Sequence, residues 1–158
     1  MIRWLALALT WTVAGCTVDT ELGVAAEIQS AAVSVSGTGD TSVVSASVPT
    51  RFRVGEHAEG RRMFVLQRAE LTVGGTPAAQ MGIDYPAGFT GQLDPGDDQT
   101  VTLTGSTMPG AFPDAPGLLC GASPVHVIVR WQDVTPGMMP LLGDYGLAEV
   151  ETTDVTCD

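Results

Sequence analysis

The chain has 158 residues, with 18 aspartates and glutamates set against 7 arginines and no lysine, a formal charge of −11. Such a balance repels nucleic acid and anionic phospholipid head groups and favours solubility, so nucleic-acid partners are excluded as a reading. The length suits one domain able to bury its own core without help from a metal.

The first 16 residues are patterned differently from the rest. Arg3 and the N-terminal amine form a positive start, Trp4 to Thr12 form a short apolar run, and Val13, Ala14, Gly15 and Cys16 close it. That is the layout of a secretory signal. The apolar run from Trp4 to Val13 would span only about 15 Å as a helix, against a hydrocarbon core of roughly 30 Å, so it is too short to remain as a membrane span. Val13, Ala14, Gly15 and Cys16 resemble the lipobox of bacterial lipoproteins, in which an aliphatic residue, a small residue and Gly or Ala precede the modified cysteine. The resemblance covers residues 1 to 16 alone. It implies that residues 1–15 are removed, that Cys16 becomes the first mature residue and carries diacylglyceryl and amine-linked acyl (palmitate-type) chains, and that the membrane is a partner through that lipid. Stable anchoring needs two chains or signals, which a triply acylated cysteine exceeds. In the same family Asp after the cysteine favours inner-membrane retention in some bacteria; Thr17 stands there, so the outer membrane, facing the periplasm or the surface, is the expected location. Removing the first 15 residues leaves 143, with six arginines against the same 18 acidic side chains.

After a polar tether over residues 16–23, the sequence patterning predicts a single domain over 24–158 built from strands. Ala31, Val33 and Val35 alternate with Ala32, Ser34 and Ser36, the period of a strand with one buried face. Gly37 to Asp40 read as a turn. Val44, Ala46 and Val48 resume the alternation, Pro49 reads as an edge or kink, and Phe52 and Val54 follow before a polar loop from Gly55 to Arg62. Met63 to Val73 is the most strand-like block, with Arg68 and Glu70 on a wet face and Gly74 and Gly75 ending it. Leu93 to Asp97 form a turn with Pro95 pre-set in φ and Gly96 free to take positive φ, leading into Val101 and Leu103 among threonines. Val125 to Trp131 and Leu147 to Cys157 complete the set.

Short strands separated by Gly, Pro and Asp turns, with no amphipathic helix between them, predict an all-β antiparallel sandwich of immunoglobulin- or fibronectin-like layers, with seven or eight strands. Looser loops are expected from Thr76 to Phe89, Met108 to Gly117 and Asp133 to Gly146. They carry Tyr85, Phe89, Phe112 and Tyr145, each of which either offers a binding contact or folds back to plug an end of the sandwich.

With Cys16 assigned to lipid, Cys120 and Cys157 remain, and an exported protein is expected to bridge them. Pairing the strand after Cys120 with the last strand so that the two cysteines face each other also sets Val127 opposite Val150 and Arg130 diagonal to Glu149, which predicts a stapled hairpin. Closing a loop of this length is worth about 4 kcal/mol in the chain-entropy model. The immunoglobulin hallmark is excluded, because too few residues follow Trp131 to hold the intervening strands. No Cys-x-x-Cys pair is present to lower a thiol pKa.

No nucleophile elbow, zinc-protease helix, phosphate loop or dinucleotide fingerprint occurs, and no cofactor is expected. The weak metal candidates are His57, flanked by Glu56 and Glu59, and the Asp94, Asp97, Asp98 cluster. A calcium loop beginning at Asp94 would need a bidentate glutamate where Gly105 stands, so turn formation explains the cluster more simply. Met138 and Met139 are adjacent but lack a neighbouring His or Cys to make a soft copper site. His126 reads as a strand residue. The expectation is a lipid-anchored, non-catalytic binding or structural module with envelope proteins as partners. The competing reading is a metal-binding protein or enzyme whose groups meet only in the fold, drawing on His57, Glu56, Asp133 and Asp144, and a third is glycan binding by coplanar exposed aromatics.

Overall fold

The structure is a computed structural model, and the description covers residues 23–121, 124–139 and 144–158, with Asp144 described in its backbone alone. The expected leader, Cys16 and most of the expected tether therefore lie outside the described residues. The chain forms an all-β sandwich of two sheets. Eleven strands occur among the described residues, more than the seven or eight expected: β1 (Val24–Ile28), β2 (Ala32–Ser36), β3 (Val43–Val54), β4 (Arg62–Val73), β5 (Thr76–Met81), β6 (Ile83–Asp84), β7 (Gln92–Leu93), β8 (Asp98–Ser106), β9 (Val125–Val134), β10 (Asp144–Thr152) and β11 (Val155–Cys157). The surplus comes from short strands. β5 and β6 occupy most of the expected loop from Thr76 to Phe89, β10 starts inside the expected loop after Asp133, and a helical turn, α1 (Ala115–Leu119), begins within the Gly and Pro loop after Met108.

The first sheet runs β11-β2-β3-β8-β6, and β1 also pairs with β3; the second runs β10-β9-β4-β5, and β7 pairs with β4. Their inner faces meet in one core that includes Val33, Val35, Val44, Ala46, Val48, Phe52, Leu103, Phe64, Leu71, Val127 and Val129. These are the apolar positions of the alternating runs, as expected when one face of each strand is buried.

Pro49 does not mark an edge or a break. It sits mid-strand in β3, opposite Thr102 of β8. The flanking partner along the other side of β3 changes there, from β2, which ends its pairing at Ser47, to β1, which begins at Thr50. Pro49 falls at this changeover, where its missing N–H costs only the return bond to Gln29, whose amide donates to the Pro49 carbonyl at 2.9 Å.

The Cys120–Cys157 bridge is present, with a Cα–Cα distance of 6.0 Å, but it does not staple a hairpin. β9 and β10 do pair with Val127 opposite Val150. The chain then leaves the second sheet: the Thr152 hydroxyl donates to the Ala31 carbonyl at 2.6 Å and the Asp154 amide donates to the Thr152 hydroxyl at 3.0 Å. That turn delivers β11 to the first sheet, parallel to β2. Cys120, the residue that ends α1, is thus tied to the opposite sheet, and the bridge fastens the lead-in to β9 to an edge strand across the sandwich. Arg130 lies diagonal to Glu149 in register, yet its guanidinium goes the other way, to Glu70 of β4 at 2.9 and 3.2 Å. Arg68 and Arg130 stand directly opposite each other. Two like charges so placed repel, and Glu70, which also accepts from Arg68 at 2.6 Å, is the group that holds them.

Candidate functional site

The sequence candidates divide into three groups once folded. Tyr85 and Phe89 turn inward and meet Phe52 with ring centroids 5.9 and 6.2 Å away; Phe52 in turn meets Phe64 at 4.8 Å. The Tyr85 hydroxyl donates to the Phe64 carbonyl, and burial raises its pKa. Tyr85 and Phe89 lie edge-on to each other, 78° apart, so they form no coplanar platform for a sugar. Phe112 is half-buried against the same core. Of the four loop aromatics Tyr145 alone is strongly exposed, at 69%.

Asp94, Asp97, Asp98 and Asp133 are already engaged. Asp94 accepts two hydrogen bonds from Arg61 at 2.8 Å, and Asp98 accepts from Arg51, so each carboxyl is held below the ordinary carboxylate range. Asp97 accepts from the Asp94 amide at 2.8 Å, closing the turn. Asp133 is buried and paired with Arg62. Glu56, His57 and Glu59 are exposed on the loop between β3 and β4, and His126 lies 3.4 Å from Glu149. Asp144 has its backbone opposite Asp133; its side chain lies outside the described residues. Among the described residues, no three His, Cys, Asp or Glu groups gather where they could share a metal ion.

Glu70 supplies a pH-dependent element. Hydrogen bonds from Arg130, then from Arg68, lower its pKa. A folded-state value depressed below the unfolded one stabilises at pH values above the unfolded pKa, and that contribution disappears as pH falls through the folded pKa. Thermal melts taken from neutral pH down through the carboxylate range are expected to show a shallower acid loss of stability in Glu70→Gln than in the unsubstituted protein. An unchanged slope would mean the triad contributes nothing.

Two concave surfaces stand out among the described residues. One is the outer face of the first sheet. There Thr156, Ser34, Ser45 and Ser106 line up across four strands, and beside them run Ala32, Ser47, Thr104 and Asp84. The face is an open hydroxyl-lined concavity of about 670 Å³. Its signal was present in the serines and threonines that alternate with apolar residues, but which strands would lie side by side was not.

The other surface is the end of the sandwich where the described chain begins. Val24 pairs with Val54, and the Gly55 amide donates to the Gly23 carbonyl at 2.8 Å. A groove of about 580 Å³ runs between β1 and β10, lined by Val24 to Ala26, Arg53, Asp97, Trp131 and Leu147 among others. Trp131 crosses beneath β10 at Gly146, where a Cβ would lie only 2.2 Å from its ring, so the glycine is what admits the indole. Trp131 also packs on Phe64 at 5.1 Å, and its Nε1 is buried without a hydrogen-bond partner among the described residues. The sequence places Trp131 at the end of a strand and rules it out as an immunoglobulin marker, but nothing local shows that Gly146 faces it. At this same end stand Met138, Met139, Tyr145 and Leu147, exposed by 54, 72, 69 and 53%. Met138 and Met139 follow β9 closely, whose Val134 pairs with Met63 at the start of β4.

No family model and no curated protein matches the chain. Among solved structures, a Bacillus subtilis protein described as a "putative lipoprotein (ycdA)" overlaps 84% of this chain at 8% identity and a TM-score of 0.42. This chain spans 37% of the length of that one, an overlap too loose to carry fold or function across.

Proposed function

We propose that the protein is a bacterial lipoprotein, held in the envelope by acyl chains on Cys16 with the outer membrane as its site, and that its sandwich serves as a non-catalytic binding or structural module for other envelope proteins. The observation that carries this reading is the run Val13, Ala14, Gly15, Cys16 behind a short apolar segment. The bridge adds support. Of the 3 cysteines in the sequence, Cys120 and Cys157 are bonded to each other, which leaves Cys16 as the one to take lipid. The ion pairs Arg51–Asp98, Arg61–Asp94 and Arg62–Asp133 brace strands and turns rather than present charge to a substrate.

The test is expression of the full chain and of Cys16→Ser in a bacterium, followed by fractionation and mass spectrometry. The unsubstituted protein is expected in the membrane fraction with a mature N-terminus at Cys16 and acyl mass on it, and Cys16→Ser without that mass. Recovery of the unsubstituted chain from the cytosol with its leader intact would overturn the proposal. Affinity capture of the membrane-bound form names the partners; stoichiometric metal with no partner would favour the metal-site reading.

A further inference from the structure

We infer that the end of the sandwich bearing Met138, Met139, Tyr145 and Leu147 is a membrane-contacting surface that lies in the interface of the bilayer to which Cys16 is anchored; the inference rests on the lipoprotein reading above. The first observation is the distribution of exposed apolar side chains. Five large hydrophobics are strongly exposed among the described residues, and four of them, all but Met108, lie at this end. Leu147 shares a groove with Val24 and Ala25, so the patch adjoins the start of the described chain. Scattered single hydrophobics are ordinary on a protein surface, whereas a cluster at one end marks a contact site.

The second observation is the reach of the chain. Cys16 and Gly23 are seven residues apart, which at full extension is at most about 25 Å. Gly23 is bonded to Gly55 at this end of the first sheet. An acylated Cys16 therefore keeps this end, and not the opposite one, within a short distance of the head groups. A tether of that kind raises the effective concentration of a surface too weak to bind lipid alone, so a few apolar side chains suffice. Methionine and tyrosine suit the interface, the first because it is flexible and apolar, the second because its ring is apolar and its hydroxyl stays wet.

Charge at this end is largely internally paired. Arg51, Arg53, Arg61 and Arg62 all lie toward this end, where they face Asp98, Glu27, Asp94 and Asp133. Glu56, Glu59 and Asp97 add negative charge at the rim, so the surface fits a zwitterionic interface rather than a strongly anionic one. Around the opposite end Asp40, Asp114, Asp154 and Asp158 likewise have no arginine ion partner among the described residues, so charge does not separate the two ends and the apolar cluster and the tether carry the orientation.

The experiment uses the processed full-length protein reconstituted into phosphatidylcholine vesicles whose acyl chains carry bromine, a contact quencher of tryptophan. Three variants are compared with the unsubstituted protein: Met139→Trp and Tyr145→Trp at the proposed surface, and Met108→Trp at the other end. Flotation and the mass of the N-terminal peptide are measured on the same samples, and thermal melts check that each variant is folded. The added emission of Met139→Trp or Tyr145→Trp is expected to fall by more than half in brominated vesicles, and that of Met108→Trp to stay unchanged. If all variants float with acylated Cys16 but none is quenched, or all are quenched alike, the membrane surface is overturned and the anchor stands. If they fail to float and Cys16 is unmodified, the anchor and the surface fall together.

Discussion

Replacing Phe52 by alanine is expected to destabilise the protein by about 3–5 kcal/mol, the usual cost of removing a large aromatic from a packed interior. Phe52 has no exposed surface. Its ring meets Phe64 of the facing sheet at 4.8 Å and is covered by Tyr85 and Phe89 from the β6–β7 connection. Truncation therefore removes the buried ring and also the support under two aromatics that close this part of the core. Collapse around the gap is limited, because Tyr85 is held by its hydrogen bond to the Phe64 carbonyl and Gly91 leaves no slack there: a Cβ at Gly91 would sit 2.6 Å from that carbonyl. Urea unfolding of the full chain measures the difference, and a fall in Tm on the order of 10 °C is the thermal counterpart. A loss below about 1 kcal/mol would show that the cluster packs loosely and that Tyr85 and Phe89 are available for other contacts.

The second large effect is that of breaking the bridge. Cys120 and Cys157 are 37 residues apart, and releasing that loop is expected to cost about 4 kcal/mol in the chain-entropy model. The protein should melt lower after reduction, and the double variant Cys120→Ser, Cys157→Ser should match the reduced form. The location of the loss is informative as well. Because β11 is a three-residue edge strand paired only with β2, hydrogen exchange should rise first in β11 and in the α1 segment that carries Cys120. Protection in β9 and β10 should persist, since those strands pair over nine positions without help from the bridge. Exchange that opens β9 and β10 together with β11 would instead mean that the bridge supports the hairpin.

Much of the sandwich was legible because its strands have one wet face. Val44, Ala46, Val48 and Phe52, or Val125, Val127 and Val129, alternate with polar or half-exposed residues, and that period survives any detail of topology. The shorter elements were not legible. β1 reads Val, Ala, Ala, Glu, Ile, without alternation, and β6 and β7 are two residues each; such segments become strands only because a neighbour offers them a ladder. Pro49 misled for a related reason, since whether a missing N–H matters depends on what lies beside it, and that is settled by where β2 ends and β1 begins.

The site followed the same division. His57, Asp94, Asp97 and Asp98 were visible as chemistry-bearing residues, but the partners of Asp94 and Asp98 were not: Arg61 and Arg51 are distant in sequence from the carboxylates they hold. The aromatics were placed in loops, and only the fold separated Tyr145, which stays out, from Tyr85, Phe89 and Phe112, which pack inward.

Residue type and order alone determined the all-β class, the acidic character, the two cysteines that bond and the leader-like opening, because each of these is written in composition or in local periodicity. Tertiary structure decided which sheet receives the last strand, which arginine meets which carboxylate, and that four exposed apolar side chains share an end with the start of the described chain. Those facts depend on pairings between residues far apart along the chain, and the energy that selects them comes from burying both sheets at once rather than from any segment by itself.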